Sequence, residues 1–328
     1  MFTLPKSVNR MKILQRGIAL LALLLASGGL AATETPLPQV ATGRIERLAD
    51  FASAHVPARH IDVWLPAGYP DAAPYAVLYM HDGQMLFDAQ TTWNHQEWRV
   101  DEVAGELQAS GTLRPFIVVG IWNGGAARAA EYLPQRAFER LDANAQAKHQ
   151  AGKRGDQPFL SAPVYSDRYL RFLTEELKPL IDRRFAVDPA PAATAIMGSS
   201  MGGLISLYAL TEYPRIFGAA ACLSTHWPAS FIFDDPTLPE ALLAYLTEKL
   251  PNPTQHRLYF DHGTATLDAH YAPWQRRVDA IMTSKGYSDA NWVSRVYADA
   301  EHSEQAWSAR LQVPLTFLFA ASPQSPRP

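Results

Sequence analysis

The sequence predicts an α/β protein with a mostly parallel central sheet and helices on both faces, and three observations carry that prediction. Ala76-Val77-Leu78-Tyr79-Met80 and Phe116-Ile117-Val118-Val119-Gly120-Ile121 are apolar without alternation, as strands covered on both faces must be. Stretches of helical periodicity, Glu97 to Leu107 and Tyr169 to Phe185, alternate with such runs, the order that builds a parallel sheet. Finally, the small and apolar residues Ala193 to Met197 lead through Gly198-Ser199-Ser200-Met201-Gly202-Gly203 into Leu204, Leu207, Tyr208 and Leu210 at helical spacing. Strand, sharp turn and helix follow one another there without a spacer, a G-x-S-x-G elbow that exposes Ser200 at the edge of a sheet.

Taken from the start of the chain, Lys6, Arg10, Lys12 and Arg16 precede the apolar run Gly17 to Ala26, and small residues continue to Ala32. That is the pattern of a secretory signal peptide over residues 1–32, too short in its apolar part to span a bilayer comfortably. Cleavage near Ala31 or Ala32 leaves no stable membrane anchor and implies a periplasmic or secreted location. Residues 33–38, rich in Thr and Pro, read as a flexible segment. Residues 39–322 are expected to form one catalytic domain, with a tail over 323–328. Nearly half of the 328 residues are apolar, enough for one large core.

Within that domain Ile61-Asp62-Val63-Trp64-Leu65 alternates like a half-buried strand, and the two continuous runs named above supply the next strands. Asp142 to Val164 is polar and unpatterned, and is read as disorder or a passive insertion in preference to a substrate lid. Phe217 to Leu223, Arg257 to Phe260 and Val293 to Tyr297 are later strands, each followed by a polar loop, and a last helix starts near Glu304. The net charge of −3, with no Lys/Arg run beyond the leader, excludes a nucleic-acid partner. Cys222 is the only cysteine, so no internal disulfide can form, and its setting in Ala219-Ala220-Ala221-Cys222-Leu223 makes it a buried apolar residue.

A serine hydroxyl is a poor nucleophile until a base takes its proton, so Ser200 requires a histidine and a carboxylate downstream. His302 follows the last strand by a short loop and precedes a helix, the position expected for the base. His256, His262 and His270 fit less well, and His226 is a residue that could touch substrate. The loop after Arg257 to Phe260 offers two carboxylates, Asp261 and Asp268. Asp268, on the far side of the loop, is chosen as the acid, because a structural bond at the strand end explains Asp261. Attack on an ester creates an oxyanion, for which the backbone N–H of Met201 and that of Gln84, after His81-Asp82-Gly83, are the candidate donors. Trp122 and Trp227, like Trp93, lie in loops where rings can stack on a carbohydrate, and Arg128 and Glu131 either bind a charged substrate or pair with each other.

On Ile61 to Pro66, His81-Asp82-Gly83-Gln84, Glu131-Tyr132-Leu133-Pro134, the elbow Gly198 to Gly203 and Glu301-His302-Ser303-Glu304, the chain resembles the putative-esterase family that includes esterase D and enterochelin, feruloyl and acetylxylan esterases. The resemblance covers most of the chain after the leader. It implies an α/β-hydrolase fold, a Ser200–Asp268–His302 triad with Gln84 and Met201 at the oxyanion hole, and no metal or organic cofactor. The substrate it implies is a small-molecule or carbohydrate-linked ester, an acetyl or feruloyl ester before a siderophore ester. An acyltransferase or a non-catalytic binding protein on the same fold are the remaining readings.

Overall fold

In the computed structural model, residues 35–321 are described. The expected signal peptide, the first two residues of the segment 33–38 and the whole of the tail 323–328 therefore lie outside the described residues. From Pro36 onward the chain forms one compact unit. Its frame is a sheet of eight strands: β1 (Arg44–Phe51), β2 (Arg59–Leu65), β3 (Ala76–His81), β4 (Phe116–Ile121), β7 (Thr194–Ser199), β8 (Ala219–Leu223), β9 (Arg257–His262) and β10 (Trp292–Val296). The two remaining strands, β5 (Lys153–Arg154) and β6 (Gln157–Pro158), form a separate small hairpin. Across the large sheet the order is β1-β2-β4-β3-β7-β8-β9-β10. β1 and β2 run antiparallel to their neighbours, and every pair from β4 to β10 is parallel.

The pleat divides the core in two. Val77 and Tyr79 of β3 join one apolar cluster, with Ile117, Val119, Ile196 and Phe260, while Leu78 and Met80 join the other, with Val118, Met197 and Tyr259. Both faces are therefore covered, which is why β3, β4, β7 and β8 are buried at every residue and read as unbroken apolar runs. β1 is different. It is a partly exposed edge strand with a weak apolar pattern, and the sequence did not single it out.

Parallel strands end at the same edge of a sheet. The loops after β3, β7, β8, β9 and β10 therefore converge on one side, where open α/β sheets carry their ligands. The helix Met201–Glu212 packs on β7 and β8 and is buried at all positions but the last. The segment 142–164 is ordered, in contrast to the expectation of disorder: Asp142 caps the helix Ala143–Gln150 by accepting from the Ala145 N–H at 2.9 Å, and the β5–β6 hairpin follows. The helix Ala143–Gln150 holds only alanines and polar residues, with no apolar stripe to show its periodicity.

Glycine requirements at the elbow are unequal. A Cβ on Gly198 would meet the Gly202 backbone at 2.8 Å, and one on Gly203 would meet Thr225 Oγ1 at 2.9 Å, but one on Gly202 would find no atom closer than 3.4 Å. The crowding falls on Gly198 and Gly203, not on the second glycine of the G-x-S-x-G pattern. Gly198→Ala is expected to cost about 2 kcal/mol or more of unfolding free energy in urea, and Gly202→Ala less than about 1 kcal/mol. Equal costs would contradict this packing.

Candidate active site

Ser200 sits between β7 and its helix at φ 59, ψ −124, a backbone region costly for any residue with a Cβ. The surrounding bonds hold it there: its N–H donates to Leu223 O at 2.9 Å, and its carbonyl accepts from His226 N at 3.2 Å and from Gly203 N at 3.0 Å. The strain thus rests on β7, β8 and the start of the helix together.

Asp268 and His302 meet across two loops. Asp268 is fully buried, and its Oδ1 lies 2.5 Å from His302 Nδ1. Its Oδ2 accepts from Ser224 Oγ at 2.6 Å and from Gly263 N at 2.5 Å. Burial pushes this carboxyl up, but the bonds from His302, Ser224 and Gly263 outweigh it and hold it below the ordinary carboxylate value. A carboxylate can only accept, so His302 Nδ1 carries the proton and Nε2 is left with its lone pair, the tautomer a base needs. His302 N is itself held by Thr266 Oγ1 at 2.8 Å.

Asp261 has other partners. Arg310 donates to both of its oxygens, at 2.9 and 3.2 Å, and Tyr259 adds its hydroxyl at 3.0 Å. Ser224 joins the two carboxylates: its Oγ accepts from Trp307 Nε1 at 2.9 Å and Arg310 Nη2 at 3.0 Å, so its one proton goes to Asp268. Ser224, Trp307 and Arg310 carried no sequence signal, because each acts through a residue more than 40 positions away.

Among the described residues the Ser200 side chain makes no hydrogen bond to His302; it lies close enough to Tyr271 to lower that hydroxyl's value against the larger upward push of burial. Tyr271 is wholly buried, its ring edge-on to His302 with centroids 5.8 Å apart. His226, also buried, faces Ser230 O with Nε2 at 3.1 Å and the Tyr271 hydroxyl with Nδ1 at 2.8 Å. The carbonyl requires an Nε2 proton, so Nδ1 accepts from Tyr271, whose oxygen in turn can accept from Ser200. Burial, reinforced by the charges of His302, Arg128 and Arg154, lowers the His226 value to about 3, and the ring is neutral.

The loop after β3 lies beside the elbow: a Cβ on Gly202 would be 3.5 Å from His81 Cβ. The backbone N–H groups of Gln84 and Met201 have no acceptor among the described residues, and each starts a helical turn. Gly83 is required because a Cβ there would strike Gly120 at 2.5 Å, so its close approach is to β4, not to an open cleft. Asn123 secures the loop, donating to Asp82 Oδ1 at 2.7 Å and to Gln84 Oε1 at 3.3 Å. Arg128 and Glu131 do not pair with each other. Arg128 binds Asp82 at 2.6 and 2.7 Å, whereas Glu131 is buried against Arg59 at 2.5 and 3.0 Å.

The tryptophans are redistributed. Trp227 is in the core, its indole donating to Gln275 and its ring packed near Phe260, so the expectation that it touches substrate is corrected. Trp122 is tied to the β1–β2 edge through Asp62, His60 and Arg47. Trp93, by contrast, is 80% exposed, and its neighbour Asn94 donates to Glu304, two residues past His302.

A large, mostly parallel sheet with helices on both faces and a nucleophile elbow at its carboxyl edge is the α/β-hydrolase fold. The chain belongs to the family described as Putative esterase, whose profile matches residues 56–318. It is 29% identical over 175 residues to the ferri-bacillibactin esterase BesA of Bacillus subtilis (strain 168), covering 53% of this chain and 56% of that one. The chain spans just over half the length of the curated relatives it matches. Among solved structures, a ferulic acid esterase superposes with a TM-score of 0.59 at 19% identity, covering 84% of this chain and 97% of that one. The enterobactin esterase of Shigella flexneri does so with 0.58 at 17% identity, covering 86% and 60%. At these identities the likeness is one of fold.

Two outcomes follow from this geometry. Asp268→Asn, which disturbs the His302 tautomer, is expected to lower ester turnover by about 10³–10⁴-fold with little change in KM, whereas Asp261→Asn acts chiefly on stability. The reverse pattern in steady-state kinetics and urea unfolding would exchange their roles. Buried His81, its value also lowered to about 3 by burial, and His226 stay neutral when folded, while an unfolded histidine takes a proton below about pH 6.5. The unfolded chain then binds more protons, so unfolding free energy should fall as pH drops from about 6.5 toward 4. A stability that is flat across that window contradicts neutral burial.

Proposed function

We propose that the protein is a serine carboxylic-ester hydrolase. Ser200 attacks the ester carbonyl, His302 takes its proton at Nε2, and the alcohol leaves to give an acyl-enzyme; water activated by His302 then releases the acid. Asp268 orients the imidazole and stabilises its charged form, and the N–H groups of Gln84 and Met201 receive the oxyanion. The observation that carries this reading is the buried Asp268 carboxylate on His302 Nδ1, beside an elbow that presents Ser200. Family membership and the fold of esterase neighbours support it. The Ser200 hydroxyl must turn to His302 for this step, a rearrangement in keeping with the loose catalytic bonds of unliganded enzymes.

The substrate is proposed to be an ester of an aromatic acid, such as a feruloyl group on a carbohydrate. Phe159 and Phe231 pack against His226, which is bonded to Ser200, and exposed Trp93 offers a ring for a sugar near His302. An acetyl group would leave such a wall unused. A siderophore ester, with aromatic acyl groups of its own, is the second reading, and the relative acting on ferri-bacillibactin supports it. Export follows from the leader pattern of residues 1–32. Among the described residues, no helix is long and apolar enough to cross a membrane.

The protein should release ferulate from methyl ferulate and p-nitrophenol from p-nitrophenyl acetate, with a higher kcat/KM for the aromatic acid ester, and Ser200→Ala should abolish both. Turnover that survives in Ser200→Ala would remove the serine from the mechanism, and a preference for the acetyl ester would remove the aromatic acyl group.

A further inference from the structure

The β5–β6 hairpin belongs to the segment that composition marked as a passive insertion. It turns through Gly155 and Asp156, with Gly155 at φ 61, and pairs Arg154 with Gln157. Just beyond it, Phe159 N donates to Gly152 O at 2.9 Å, which closes the base of the hairpin. Phe159 then stands 5.2 Å from Phe231 and 6.2 Å from His226, centroid to centroid. Phe233, 42% exposed, packs on Phe231 and stacks on His270 at 4.3 Å. These rings form a continuous wall whose inner end, His226, bonds the Ser200 carbonyl and the Tyr271 hydroxyl.

Arg154 lies over this wall, its guanidinium carbon 5.4 Å from the Phe231 ring centroid. Among the described residues it has no carboxylate partner. Its charge is nevertheless felt inside the site, where it opposes protonation of His226 and lowers the Tyr271 hydroxyl's value against the larger upward push of burial. The other guanidinium near the site, Arg128, is committed to Asp82 at 2.6 and 2.7 Å. A cation held over an aromatic face, with its N–H donors uncommitted and a buried reaction centre behind it, is suited to an anion carried by a substrate that lies along the rings.

We propose that Arg154, delivered by the β5–β6 hairpin, is a specificity-determining residue that selects esters whose acyl portion carries an anionic group. The inference rests on the serine-esterase reading of Ser200; it requires an acidic group on the acyl portion, which a feruloyl group lacks at neutral pH, and so narrows the aromatic acyl esters proposed above to those that carry one. In that reading the acyl chain extends from the carbonyl carbon bonded to Ser200 Oγ past His226 onto the ring wall, and its negative group meets Arg154 at the rim.

The test compares a charged and an uncharged four-carbon acyl ester, p-nitrophenyl hydrogen succinate and p-nitrophenyl butyrate, on the full chain as wild type, Arg154→Gln and Arg154→Lys. Wild type is expected to favour the hemisuccinate, through KM, and to lose that preference as salt is raised from 20 to 500 mM. Arg154→Gln should lower kcat/KM for the hemisuccinate about tenfold while changing the butyrate less than twofold, and Arg154→Lys should retain part of the preference. An unchanged hemisuccinate-to-butyrate ratio in Arg154→Gln, or an equal loss on both esters, overturns the assignment. Failure of the esterase reading itself looks different, because wild type and Ser200→Ala would then be alike on both substrates.

Discussion

Ser200 stands at φ 59, ψ −124, and the rest of the site depends on that backbone position being tolerated. A residue with a Cβ leaves this region unless its surroundings overdetermine it. Here they do: β8 receives the Ser200 N–H, His226 and the first turn of the helix bond its carbonyl, and Gly198 and Gly203 allow strand and helix to approach. The parallel sheet then brings the loops after β3, β8, β9 and β10 to the same edge, so the proposed oxyanion donors, acid and base come to the side of Ser200 from independent strands. The chemistry is local, but the constraint that permits it extends over the central sheet.

Beneath the acid lies a second constraint. Asp268 is a buried carboxylate, costly unless its lone pairs are filled, and His302, Ser224 and the Gly263 N–H fill them. Ser224 has φ 42 and is held in turn by Trp307 and Arg310, which also neutralises Asp261. The acid near the end of β9 and the acid in the loop after it thus differ in their partners: Asp268 faces a histidine that can be charged or neutral, Asp261 a guanidinium that is always charged. On the far side of Ser200, the order Ser230 carbonyl, His226, Tyr271 fixes each proton by the donor or acceptor character of the next group.

The parts of the fold legible in the sequence are those with local causes. β3, β4, β7 and β8 are continuous apolar runs because both faces of the sheet are covered, and the elbow announces itself because strand, turn and helix are adjacent in the chain. Positions of His302 and Asp268 follow from loop order. What could not be read depends on contacts distant along the chain. Tyr271 and Trp227 look alike in sequence as aromatic residues near loops, yet one bonds His226 and packs edge-on to His302 while the other fills the core. Arg59 with Glu131, and Arg310 with Asp261, are ion pairs 72 and 49 positions apart, with no periodicity to reveal them. The segment 142–164 is hard to read because its helix and hairpin carry no apolar stripe.

The central claim is that Ser200 carries the acyl group. Mass spectrometry of the protein quenched within the first turnovers of p-nitrophenyl acetate, followed by peptide mapping, tests it directly. The account predicts one acetyl group per chain on the peptide that contains Ser200, formed with a stoichiometric burst of p-nitrophenol and absent from Ser200→Ala. An acetyl group found on another residue, or turnover with no covalent species at any quench time, would contradict it.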